Sequence, residues 1–427
     1  MAAGSKDRRA NPRAPLHGLF ALLSLIAFSP ASLARSAPAP QAPPQDVPEE
    51  IFEKVDPYTK GSKELIERAG YSSLGPFRWA EGIETLDVEQ TLGSTRVLWV
   101  ETAHFKLGST LGTYDCPFDE REPGKLKEEL GRLSKKLPRV RREVTKIDPW
   151  LRLHLYAQRI EDAYADFESR FGISDKDFPA RPDTVTAGTM GRGPYLGEEM
   201  KFTVLLTAKD SPLARFARRW IGGEESGYYR ARLPGVSWFF GASAQSVKNI
   251  GADLDSALHA TVVYGVVVNL FDGFRGSDYS RPSWFKHGLA LVSARKIEDR
   301  WSIHVPRVDT GTEKDSGRWE PRLFGLVSNK VVSKWDEMLL WNDNTKLDSP
   351  QHMAAWSRVA WLMGLEKVDL HALLMALTEP VDAQEPVERA AIVKEQQVKA
   401  LSAIFGKSPA ELDDAWRKFV LRKYQKH

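Results

Sequence analysis

Asp255 and His259 stand four residues apart in the most apolar stretch of the chain, DLDSALHATVVYGVVVNLFDGF (253–274). On a helix that spacing places a carboxylate and an imidazole one turn apart on the same face. Such a pair can exchange a proton, or hold a metal ion if a third donor reaches it. Ser256 and Asp253 would complete a Ser-His-Asp set by residue type, but no oxyanion hole can be read beside them, and serine three residues before histidine is common on helices. Cys116 is the only cysteine. A single thiol closes no intrachain disulfide, so the fold must rest on its core. Tyr-Asp-Cys-Pro-Phe reads as a turn with no histidine nearby in sequence, which argues against a thiol nucleophile. GTMGRGPYLG (188–197) is glycine-rich but lacks the phosphate-binding lysine, and reads as a flexible loop.

These residues need elements to position them. The length of 253–274 favours a helix apolar on almost every face, and therefore centrally buried. The eighteen residues Leu254–Phe271 could be mistaken for a membrane span, but Asp255 and His259 inside them and the modest apolarity point to a core helix. RPSWFKHGLALVSARKIEDR (281–300) reads as a second helix opened by a proline turn. Upstream, 62–69 is a short helix ending at Gly70. RVLWVETAHFKLGS (96–109) has strand composition. The segment 124–147 reads as an exposed helix closed at Pro138, with charges of both signs typical of a solvated face. In 149–172, Leu155, Ile160, Tyr164 and Phe167 recur at helical spacing before Gly172. MKFTVLLTA (200–208) and GVSWFFGA (235–242) read as strands with a short helix (212–223) between them. Helices are expected near 333–341, 350–364, 368–377, 386–405 and 408–424, the last capped by Ser408 before Pro409. Strands mixed with helices, then helices alone, indicate an α+β domain with a helical C-terminal part.

The chain of 427 residues is 42% hydrophobic and 27% charged, which excludes a wholly disordered chain, a collagen-like fibre and a polytopic membrane protein. Its formal charge of +3 belongs to the first 34 residues; without them 56 basic residues face 56 acidic ones, so no global field favours nucleic acid or an anionic membrane. Residues 1–34 run from basic through a ten-residue, largely apolar run, LFALLSLIAF (19–28), to Ser-Leu-Ala, the pattern of a secretory signal peptide. The apolar run is too short to span a bilayer as a helix. The Pro/Ala-rich 35–50 reads as an extended tether. An exported protein is expected, periplasmic or extracellular, with 51–94 an N-terminal extension and 95–427 the main domain.

The order of segments carries a resemblance. A strand, the helix bearing His259, and then Pro282-Ser283-Trp284-Phe285-Lys286-His287-Gly288-Leu289-Ala290 follow one another, with His104-Phe105 on an early strand and FGKSPAELDDAWRKFVLRKY (405–424) at the end. Over roughly 95–424 this resembles the gluzincin-type, peptidase-MA-like secreted bacterial family of domains of unknown function. In that family one helix carries H-E-x-x-H and the next P-x-W-[FL]-x-E-G-[LF]-A. The resemblance implies a zincin-like α+β fold with a small mixed sheet. It implies a zinc held by two histidines one turn apart and a glutamate from the second helix, with the glutamate beside the first histidine as general base.

Residue by residue, the motif is degenerate. His259 stands at the first ligand position, but Ala260 replaces the general base, Val263 the second ligand and His287 the third. Pro282, Trp284, Phe285, Gly288, Leu289 and Ala290 match. The expectation is an inactive peptidase homologue without a cofactor, acting by binding or as structure in the cell envelope. Its partner would be a peptide, a protein or a glycan, held in a groove lined by Trp238 and Trp284, with 235–242 as the edge strand that pairs with an extended peptide. The alternative is a metallohydrolase with zinc at Asp255, His259 and His287.

Overall fold

The computed structural model describes residues 54–427 apart from 117–122, 179–189, 224–226, 236, 248–253, 277–280, 303–317, 342–346, 384 and 425–427. The expected signal peptide and tether (1–50), and Asp253, lie outside the described residues.

Local sequence signals set many of the boundaries. Ser62 caps α1 (Lys63–Ala69), and Gly70 ends it in the left-handed conformation. A small ribbon, β1 (Arg78–Ala80) and β2 (Ile83–Glu84), leads into α2 (Thr85–Thr91). The expected strand 96–109 is two strands, β3 (Leu98–Glu101) and β4 (Phe105–Ser109), paired antiparallel. The turn between them is held by Thr102, whose backbone N–H and hydroxyl both donate to the Phe105 carbonyl, at 2.8 and 3.2 Å. β5 (Tyr114–Asp115) follows, then α3 (Pro123–Lys136). The expected helix over 124–147 stops at Lys136, and the chain returns as β6 (Lys146–Ile147) to pair with β5. Asp148 caps α4 (Pro149–Phe171), which Gly172 closes.

β7 (Phe202–Thr207), α5 (Asp210–Trp220), β8 (Tyr228–Leu233), β9 (Ser237–Ser243) and α6 (Ala244–Val247) complete the mixed part. The central sheet has the order β3-β4-β7-β9-β8, with β4, β7 and β9 parallel and antiparallel strands at both edges. The segment 235–242 is therefore not an edge. β8 occupies the edge and pairs with β9 from Tyr228↔Ala242 to Leu233↔Ser237, so the peptide-pairing position expected for β9 is filled by the chain itself.

Side chains alternate across the sheet. On β9, Trp238 and Phe240 pack into the larger core, while Phe239 joins Trp79, Trp99 and Phe216 on the opposite face. The larger core is built on α4, α7 (Leu254–Gly273) and α8 (Ser283–Arg295), the two helices expected from the apolar stretch and the proline turn. Two glycines permit close approach. A Cβ on Gly265 of α7 would run into the Phe240 ring. One on Gly288 of α8 would meet Val359 at 2.5 Å and the Ala355 carbonyl at 2.7 Å.

The remainder is helical: α9 (Trp319–Ser328), α10 (Trp335–Met338), α11 (Ser349–Met363), α12 (Leu370–Leu377), α13 (Pro386–Phe405) and α14 (Pro409–Lys423). The fold is thus a mixed α+β domain with a small mixed sheet and a helical C-terminal part. Residues 54–94 share its core. The Tyr71 ring stacks on His154 of α4, and one ring nitrogen of that histidine lies 3.1 Å from Asp56. No described helix is long and apolar enough to cross a membrane.

Candidate functional site

α4 and α7 pack together and bring an acid–base network to their interface. Arg152, Tyr156 and Arg159 recur along α4 at helical spacing, facing Asp255 in the first turn of α7. The Arg159 guanidinium donates to Asp255 at 2.7 Å and, through its other two nitrogens, to Glu129 of α3 at 2.8 and 3.0 Å. Arg152 reaches the second Asp255 oxygen at 3.4 Å, and the Tyr156 hydroxyl donates to the same oxygen at 3.1 Å. Burial alone would raise the Asp255 pKa, but the charges of Arg159 and Arg152 outweigh it and hold the carboxyl well below the usual carboxylate range. Asp255 is therefore a saturated anion.

His259 lies one turn further along α7, half-buried, and its ring has no hydrogen-bond partner among the described residues. Burial, reinforced by the Arg159 charge, pushes its pKa well below the ordinary imidazole value. It is a neutral base at pH 7. The ring lines a cavity of about 420 Å³ between α3, the β5–β6 ribbon, α4, the start of α7 and the end of α8. That volume falls in the range of small-molecule sites. Ser256 and Cys116 line the same cavity, and the Ser256 hydroxyl donates to Glu298 at 3.0 Å.

The degenerate motif positions do not converge there. Ala260 is fully buried and Val263 nearly so, both in the core. His287 is buried too; its Nδ1 lies 2.7 Å from the Tyr264 hydroxyl, and it does not line the cavity of His259. Burial, and then the charge of neighbouring Lys286, pushes its pKa well below the ordinary value. Lys286 itself forms a buried ion pair with Asp272 at 3.0 Å.

Among the described residues no group of three or more His, Cys, Asp and Glu side chains is placed to hold a metal ion. The set Asp255, His259 and His287 is not brought together: Asp255 is taken by two arginines and His287 belongs to another neighbourhood. The described residues do not assemble the zinc donor set that the resemblance implies.

Trp238 and Trp284 are also displaced from their expected role. Both are fully buried, so neither lines a groove. The Arg230 guanidinium sits 4.1 Å from the centre of the Trp238 ring, and the Trp284 indole N–H donates to Gln397 at 2.8 Å. Each tryptophan is consumed by internal contacts.

Sequence reasoning missed Arg152, Arg159 and Glu129. The available signal was the two arginines of α4, which fall on the same helical stripe as the apolar Leu155 and so had to be buried with a counter-charge. No protein-family model, no curated protein and no solved structure matches the chain.

Proposed function

We propose that the protein is an exported, zincin-like peptidase homologue that no longer catalyses hydrolysis and acts in the cell envelope by binding a ligand. One observation carries this reading: the two arginines that saturate Asp255 leave His259 as a solitary neutral imidazole facing a cavity. A zinc peptidase site needs three converging protein ligands and a base to activate water. Here Ala260 and Val263 supply neither, and their side chains have become part of the core. The cavity has the size and mixed lining of a small-molecule site. Residues 1–34, with their signal-peptide pattern, support export.

The test is hydrolysis of a broad fluorogenic peptide library by the mature protein, with and without added zinc, beside a His259→Ala variant. The reading requires background rates in every arm. Zinc-stimulated cleavage that disappears in the variant would overturn it in favour of a rearranged metallohydrolase.

A further inference from the structure

The cavity of His259 has a distinct charge pattern. Its walls carry Leu126, Leu130, Val144 and Ile297. Within it, Arg159 is spent on Asp255 and Glu129, and Lys127 on Glu143. Three further cations border it without a carboxylate partner among the described residues. Arg142 and Lys296 make no ion pair, and the Lys125 ammonium donates only to the Ile297 carbonyl, at 3.2 Å. All three are exposed residues at the border, whereas the other ionic side chains of the lining are paired with one another. Apolar walls under a rim whose three cations have no carboxylate partner among the described residues favour a molecule with an apolar body and one anionic end. The bare imidazole nitrogens of His259 add a hydrogen-bonding point inside.

Resting on the binding role proposed above, we infer that the cavity takes a small anionic amphiphile. Its apolar body lies against Leu126, Leu130, Val144 and Ile297, and its anionic head meets Lys125, Arg142 and Lys296. This differs from the sequence expectation of a peptide, a protein or a glycan. The tryptophans that would have stacked on sugar rings are buried elsewhere, and β9 has no free edge.

Cys116 gives a built-in reporter, because the only thiol of the chain lines this cavity and is half-buried. The experiment measures the rate at which N-ethylmaleimide alkylates Cys116 in the mature protein, with decanoate or decyltrimethylammonium added below micelle-forming concentrations. Calorimetric titration of the same two probes gives affinities independent of the thiol. Decanoate should slow alkylation several-fold and saturably, and bind with measurable heat. Decyltrimethylammonium should do so at least ten-fold more weakly. The Lys125→Glu/Arg142→Glu/Lys296→Glu variant changes only exposed side chains and should reverse the order of the two probes. Equal effects of both probes, or no binding of either in the folded protein, would overturn the proposal. Peptide hydrolysis by the same preparation reports separately on the function proposed above.

Discussion

The Arg159 guanidinium bridges Asp255 at 2.7 Å and Glu129 at 2.8 Å, tying the first turn of α7 to α3 through the middle of α4. Both Arg159 and Asp255 are about 5% exposed, so each charge depends on the other for its solvation. Replacing Asp255 by Asn keeps the shape but leaves Arg152 with no anionic partner and Arg159 with Glu129 alone. The expected cost is about 3–5 kcal/mol in denaturant unfolding. The carboxyl's folded pKa is depressed, so its contribution is present above the unfolded value near ~3.9 and is lost as the pH falls below it. The variant should therefore lose less stability than the wild type between about pH 5 and pH 2.

A second charged group gives the opposite sign. His104 lies between Glu161 at 2.6 Å and Asp175 at 3.0 Å and stacks on Tyr164 with ring centres 3.8 Å apart. Burial alone would lower its pKa, but the hydrogen bonds and charges of Asp175 and Glu161 hold it up at about 9. A raised pKa means the stabilisation is complete below the unfolded value near ~6.5 and is lost as the pH rises through about 9. The His104 side chain is 22% exposed, so the linkage is on the order of 2–3 kcal/mol. Unfolding free energies measured from pH 6 to pH 10 should fall by that amount in the wild type and stay flatter in His104→Gln.

Packing supplies a third expectation. Gly265 and Gly288 sit where α7 meets β9 and α8 meets α11. Alanine at Gly288 meets a carbonyl oxygen as well as Val359, so the helices must separate. We expect losses of about 1–3 kcal/mol for Gly288→Ala in thermal or denaturant unfolding. At Gly325 an added methyl group would meet nothing within 4 Å, so alanine should be tolerated there and serves as the control.

The legible parts of the fold were those written in local chemistry. Gly70, Gly172, and Ser408 with Pro409 each mark a helix end where the structure has one. The burial of α7 was legible because apolar residues fall on almost every face of it. β8 was not, because Arg230 and Arg232 disguise a strand whose arginines lie over the Trp238 ring. The β3–β4 turn lacks glycine and proline and is held by Thr102 instead. At the site, Asp255 and His259 were legible as a helical pair. Their separation into a saturated anion and a bare imidazole was not, since it depends on Arg152 and Arg159, about a hundred residues earlier in the chain.

Installing the full zincin motif tests whether the scaffold can support a metal site. In Ala260→Glu/Val263→His/His287→Glu, three polar groups enter positions that are now core or bonded to Tyr264. Without metal the variant should be destabilised by several kcal/mol, because buried carboxylates and imidazole lack partners. Thermal unfolding with and without zinc reads the geometry. A large zinc-dependent rise in Tm would show that α7 and α8 can present a zincin-type ligand set, and its absence would show that they cannot.

The most direct test of a non-catalytic, metal-free cavity is zinc stoichiometry. Mature protein is equilibrated with zinc, passed through gel filtration and measured by elemental mass spectrometry beside the His259→Ala/His287→Ala variant. The expected result is no stoichiometric zinc in either protein, with both folded by circular dichroism. Zinc bound in equal proportion to the wild-type chain and lost in the folded variant would contradict it.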